Sequence, residues 1–185
     1  QAAVGDALAN ILTLAGYDVA REYYLNDEGN QINILGRSIG LRYGELCGAT
    51  GGAYPENYYQ GSYIVDLARG LWEDKESRDK LAKCDDRSRD EYFSTWGVEK
   101  ILKVIREELD DFGVPFDVWY RQKALGHSGK IEKVLASLKE QGYIYEAEGA
   151  LWFKSTVFGD DKDRVVRKSD NSYTYLAPDI AYHKD

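Results

Sequence analysis

Tyr175 and Asp179 stand four residues apart where an aromatic-rich segment gives way to a stretch opened by Pro178. If Tyr175 closes a strand and Asp179 lies in the first turn of the next helix, both side chains can face one pocket. A planar cation such as guanidinium suits that pocket. A carboxylate grips it through two parallel hydrogen bonds, and a phenol can lay its ring against the cation and offer its hydroxyl. The helix macrodipole alone also favours an aspartate at this place, so spacing leaves both accounts standing.

A second polar group, Asn26 to Gln31, follows the aromatic and β-branched segment 17–25. Ligands in open α/β sheets lie beyond the carboxyl ends of strands. Asp27 and Gln31 are therefore candidates for the edge of an active site, although an Asx turn with a helix cap is the more ordinary account of the pattern. Asp160, Asp161 and Asp163 cluster in Gly159–Arg164. A calcium loop needs alternating oxygen ligands and a distant bidentate glutamate, which this spacing lacks. A solvated loop with aspartate–arginine pairing is the expectation. Arg121, Lys123, Lys130, Lys133 and Lys139 could meet a phosphate backbone or line a solvated helix face. Cys47 and Cys84 have no CxxC partner, and His127 and His183 do not complete a ligand set, so no metal site is expected. No nucleophile–base pair and no glycine-rich phosphate loop is evident.

The elements that must position these groups follow from periodicity. Val4, Leu8, Ile11, Leu12 and Ala15 recur at helical spacing over 2–15. A strand is expected over 17–25, then helices over 31–47, 63–74 and 85–112, with a Gly-rich break at Gly48–Pro55. Phe116–Trp119 reads as a short buried strand. Ile131, Val134, Leu135 and Leu138 make 129–141 an amphipathic helix. Strands at 143–146 and 150–153 flank Glu148-Gly149, a two-residue hairpin turn. A second hairpin joins 165–168 to 173–175, and a helix starts at Pro178. The order is mixed α/β.

Composition sets the outer bounds. The 185 residues suit one domain or one and a half joined pieces, and 43% hydrophobic with 30% charged residues describes a globular chain. A net charge of −8 argues against a dedicated nucleic-acid-binding module but leaves room for local basic patches. No membrane-length apolar run and no secretory leader is visible. A reducing cytoplasm is the expected compartment. The chain opens inside a helix and stops soon after another begins, as an internal segment of a longer protein would.

Several stretches together resemble the bacterial arginyl-tRNA synthetases, of class I. They are Ala3–Asn10 with Ala15–Val19, Arg21–Gln31, Phe116–Trp119, Gly149–Thr156, Phe158–Val166, Lys168–Asp170, and Thr174–Leu176 with Asp179–His183. They occur in the family's order. The resemblance implies a partial Rossmann-type class I core in 1–40 and 161–185. A mixed α+β connective insertion would occupy 41–160, with strand 116–119 rejoining the core. It implies that Tyr175 and Asp179 bind arginine, and that Asp27 and Gln31 lie at the active-site edge. The parent enzyme would use ATP, with magnesium, to activate arginine and would pass it to tRNA(Arg). The family's HxGH and KMSKS-like signatures are absent here, so the chain alone is expected to be inactive and to hold no cofactor tightly. Two departures stand out. Arg121-Gln122 replace a Ser-Glu pair frequent after Trp119, and Ala177-Pro178 replace a frequent Thr-Arg pair. A synthetase-like binding or regulatory protein without catalysis is the alternative.

Overall fold

The computed structural model describes residues 1–49 and 53–184. The middle of the predicted Gly48–Pro55 break, residues 50–52, lies outside the described residues. The chain divides into two compact units, Gln1–Tyr23 with Asp27–Tyr120, and Tyr24–Asn26 with Arg121–Asp185.

The first unit is built on helices α1 (Ala2–Leu14), α2 (Asn30–Leu46), α3 (Ser62–Glu73), α4 (Lys75–Leu81) and α5 (Asp86–Asp111). Its core gathers Leu35, Ile39, Ile64, Ala68, Leu71, Leu81 and Phe93 from all of these but α1. Glycines set how closely α2 and α5 pack. A Cβ added at Gly36 would lie 2.8 Å from the backbone nitrogen of Ser94, and one at Gly97 would lie 2.5 Å from Ile39 Cδ1. A larger residue at Gly36 would force the helices apart, and one at Gly97 would displace the Ile39 side chain. The starts of α4 and α5 are fixed by aspartates. Asp74 accepts from the Ser77 N–H at 2.9 Å and Asp85 from the Ser88 N–H at 2.8 Å, as N-caps do.

Helix α1 departs from its amphipathic expectation. Val4, Leu8 and Ile11, the predicted inward face, are 75%, 56% and 64% exposed, and the buried residue is Ala9. Polar contacts hold the helix instead. Arg21 donates to Asp6 Oδ1 at 2.9 Å and to Asn10 Oδ1 at 2.6 Å.

The strand expected over 17–25 is shorter, β1 (Glu22–Leu25), and the strand expected at 116–119 is β2 (Val118–Arg121). The two are neighbours in a two-stranded sheet. Regular pairing starts where a facing backbone exists: the Arg21 carbonyl accepts from the Asp117 and Val118 N–H groups at 2.9 and 3.0 Å. Tyr23 stacks on Trp119 at 4.7 Å, and Arg106 lies over the same indole at 4.4 Å.

The second unit combines α6 (Gln122–His127), α7 (Lys130–Glu140), β3 (Ile144–Ala147), β4 (Ala150–Phe153), a 3-10 turn at Ser155–Phe158, β5 (Arg164–Arg167) and α8 (Leu176–Lys184). The three strands form an antiparallel sheet in the order β3-β4-β5. Glu148 and Gly149 both take positive φ, 54° and 73°, as the tight turn between β3 and β4 requires. The strand expected at 173–175 is only a single bridge, Tyr173 with Arg167. Beyond it the backbone turns into α8 at once, with the Ala177 N–H donating to Thr174 O. Tyr175 therefore does not close a strand; it sits in the turn before the helix.

Candidate arginine site

Asp179 lies in the first turn of α8, as its spacing from Pro178 predicts. Ala177, Pro178 and Ala181 are buried, so small residues press one side of α8 into the unit. Its other flank, with α7, borders a groove of about 640 Å³. Asp179 and His183 of α8 line it opposite Val134 and Leu138 of α7. The carboxylate is half-buried, and among the described residues no hydrogen bond or ion pair engages it. A carboxylate in that state suits a cationic guest, since it accepts two parallel N–H donors without first giving up a partner.

Tyr175 stands one turn earlier and is 74% exposed. Its carbonyl accepts from the Asp179 N–H at 3.3 Å. The phenol is not among the groups lining the α7–α8 groove. Asp27 and Gln31 belong to the first unit. Asp27 is 7% exposed, and Gln31 is exposed in the first turn of α2. The N-cap of α2 is Gly29, so Asp27 does not occupy the capping position.

The acidic loop follows its expectation. Arg164 donates from Nε to Asp160 Oδ2 at 2.7 Å, and from Nη2 to Asp160 Oδ1 at 2.6 Å and Asp161 Oδ1 at 2.7 Å. This grip holds the Asp160 carboxyl well below the usual carboxylate range. Asp163 accepts from the Thr156 hydroxyl at 2.8 Å, the Thr156 N–H at 3.2 Å and the Tyr145 hydroxyl at 3.0 Å. The Thr156 hydroxyl leads in lowering its pKa. Among the described residues, no three histidine, cysteine or carboxylate groups gather as a metal site. The basic residues do not present a free stripe either: Lys139 is paired to Glu146 at 2.7 Å, and Arg121, Lys123 and Lys130 have partners of their own.

One cluster had no signal in the sequence. Tyr24, in β1, donates its hydroxyl to Gln122 Oε1 at 3.1 Å, and its ring meets Tyr182 of α8 edge-on at 4.7 Å. Tyr24 and Tyr182 fall within stretches that carry the family resemblance, and Gln122 directly follows β2, but nothing in their spacing joins the three.

The sequence model described as tRNA synthetases class I (R), catalytic domain, matches residues 1–185. The chain belongs to the class I arginyl-tRNA synthetase family. It is 50% identical over 184 residues to the arginine--tRNA ligase of Bacillus subtilis (strain 168), covering all of this chain and 33% of that protein. The arginine--tRNA ligase of Geobacillus kaustophilus is also 50% identical over 184 residues, with 32% of its length covered. This synthetase-family chain thus spans about a third of the length of the curated relatives it matches. Its fold matches the crystal structure of a putative arginyl-tRNA synthetase from Campylobacter jejuni with a TM-score of 0.84 at 38% identity, covering 100% of this chain and 39% of that one. The arginyl-tRNA synthetase of Plasmodium falciparum shares the fold, with a TM-score of 0.63 at 14% identity over 97% of this chain and 30% of that one.

Proposed function

We propose that this chain carries the arginine-binding part of an arginine--tRNA ligase. In that reading the enzyme activates arginine with ATP and transfers it to tRNA(Arg). The observation that carries the reading is the collinear match of all 185 residues to one family's catalytic domain. The open carboxylate of Asp179 supports it, because a guanidinium needs a planar anionic partner. Asp179 grips the guanidinium; Tyr175, exposed and outside the α7–α8 groove, is given its part in arginine binding by the family resemblance. The family resemblance gives Asp27 and Gln31 the edge of the active site in the proposed enzyme. Residues 1–40 and 161–185 belong to the nucleotide-binding core, and 41–160 to the insertion. No ATP contact is assigned to these residues. Magnesium finds no matching ligand set among the described residues.

The contribution of this region is positioning. It holds the amino acid by its side-chain head group so that the carboxylate to be activated is presented at a fixed place. The isolated chain supplies that hold without turnover. Aminoacylation of tRNA(Arg) tests both parts: the chain extended to the length of its relatives should charge tRNA(Arg), and the 185-residue chain should stay at background. Clear turnover by the short chain would refute its inactivity. An extended chain that folds and charges nothing would refute the ligase reading.

A further inference from the structure

We infer that Tyr182 is a positioning residue for the arginine site, acting through the rotation of α8. The inference rests on the reading of Asp179 above and concerns what keeps that side chain in place. Asp179 and Tyr182 are three residues apart on one helix, so they are neighbours on its surface. Any turn of α8 about its axis that moves one moves the other. The buried flank of α8 is made of Ala177, Pro178 and Ala181. Such small side chains allow close approach but offer few atoms for side-chain contact. Tyr182 is the large side chain next to Asp179 with a defined ring contact to another element. Its ring meets Tyr24 at 4.7 Å with 60° between the planes, the edge-to-face arrangement that aromatic pairs favour.

Tyr24 is itself held. Its hydroxyl donates to Gln122 Oε1 at 3.1 Å, and Gln122 is the first residue of α6, immediately after β2. The support therefore runs from the end of β2, through Gln122 and Tyr24, to Tyr182. It fixes α8 relative to the strand ends, and α8 carries the carboxylate. A change here shifts Asp179 without touching arginine.

The test is steady-state aminoacylation by the chain extended to its relatives' length. Tyr182→Leu keeps an apolar side chain but removes the ring contact. It should raise the KM for arginine about ten- to a hundredfold, the scale expected for a contact group displaced by about 1 Å. The KM for ATP should hold, and kcat should fall less than the arginine KM rises. Tyr182→Phe keeps the ring and should restore the arginine KM. Tyr24→Leu removes the same contact from the strand side and should reproduce Tyr182→Leu; it takes that variant's place if Tyr182→Leu does not fold. A merely structural role would lower the folded fraction, and with it kcat, at unchanged KM. That outcome, or a Tyr182→Phe variant as impaired as Tyr182→Leu, overturns the inference. Asp179→Ala separates it from the reading beneath it. If Asp179→Ala raises the arginine KM and the tyrosine variants do not, only the positioning role falls. If Asp179→Ala leaves it unchanged, the arginine site falls.

Discussion

In the loop Gly159–Arg164, three aspartates stand within four positions and each is engaged: Arg164 holds Asp160 and Asp161, while Thr156 and Tyr145 hold Asp163. In α8 a single aspartate, Asp179, borders a groove with no such partner among the described residues. Both stretches belong to the second unit. Density of charge marks the structural site, because a clustered set of carboxylates is tolerable only where donors neutralise it. The lone, half-buried carboxylate is the one left without such a partner among the described residues, as the proposed arginine site requires.

The contrast can be broken most severely at Asp179. Asp179→Ala should raise the KM for arginine about 30-fold or more, the range for removing one partner of a charge-assisted pair at a binding site. Asp163→Ala should leave that KM in place; an equal rise in both variants would erase the distinction. A second arm asks whether arginine affinity merely follows overall stability. Gly36→Ala should destabilise the α2–α5 crossing by about 1–3 kcal/mol in denaturant melts, because the new methyl meets the backbone of Ser94. The arginine KM of the folded fraction should not change.

Asp163→Ala supplies the next smaller effect. It removes the acceptor of the Thr156 and Tyr145 hydroxyls, so the thermal midpoint should fall by a few degrees, within about 2–8 °C. The smallest effect is in pH. The folded-state pKa values of Asp160 and Asp163 are depressed, Asp160 chiefly by Arg164 and Asp163 chiefly by the Thr156 hydroxyl. Groups of this kind stabilise the fold fully above the unfolded aspartate value of about 4, and the contribution is lost as pH falls through the folded values. Emission from Trp152, whose indole N–H donates to Ala147 O within the hairpin, should therefore begin to change below about pH 4. In Asp163→Asn that change should be smaller. An unchanged acid transition would show that the loop pairing contributes nothing measurable.

Legibility in the sequence followed the physical strength of each signal. The helices α2, α3, α5 and α7 fall within a residue or two of their expected ranges, because long apolar periodicity and core burial point the same way. Helix α4 was missed because it is a seven-residue charged segment defined by the Asp74 cap rather than by an apolar stripe, and α6 because it spans six residues. Residues 17–20 have strand-like side chains, but the regular ladder forms only from Glu22, just past the Arg21–Asp117 contact. For α1 the periodicity was real, yet the stripe it marks is open in the described residues. Of the candidate site, the place of Asp179 on a helix start was readable from Pro178. What surrounds it was not, since the groove depends on α7, some forty residues earlier in the chain. The Tyr24–Gln122–Tyr182 cluster was hidden for the same reason: its members are 98 and 60 positions apart.

The most direct test follows the carboxyl carbon of Asp179 by NMR while arginine is titrated into the chain extended to its relatives' length, with Asp163 as the internal reference. A guanidinium seated on Asp179 should shift that resonance in a saturable way with the same midpoint as arginine binding, while Asp163 stays still. Saturable arginine binding with the Asp179 signal unmoved would contradict the arginine site proposed for α8.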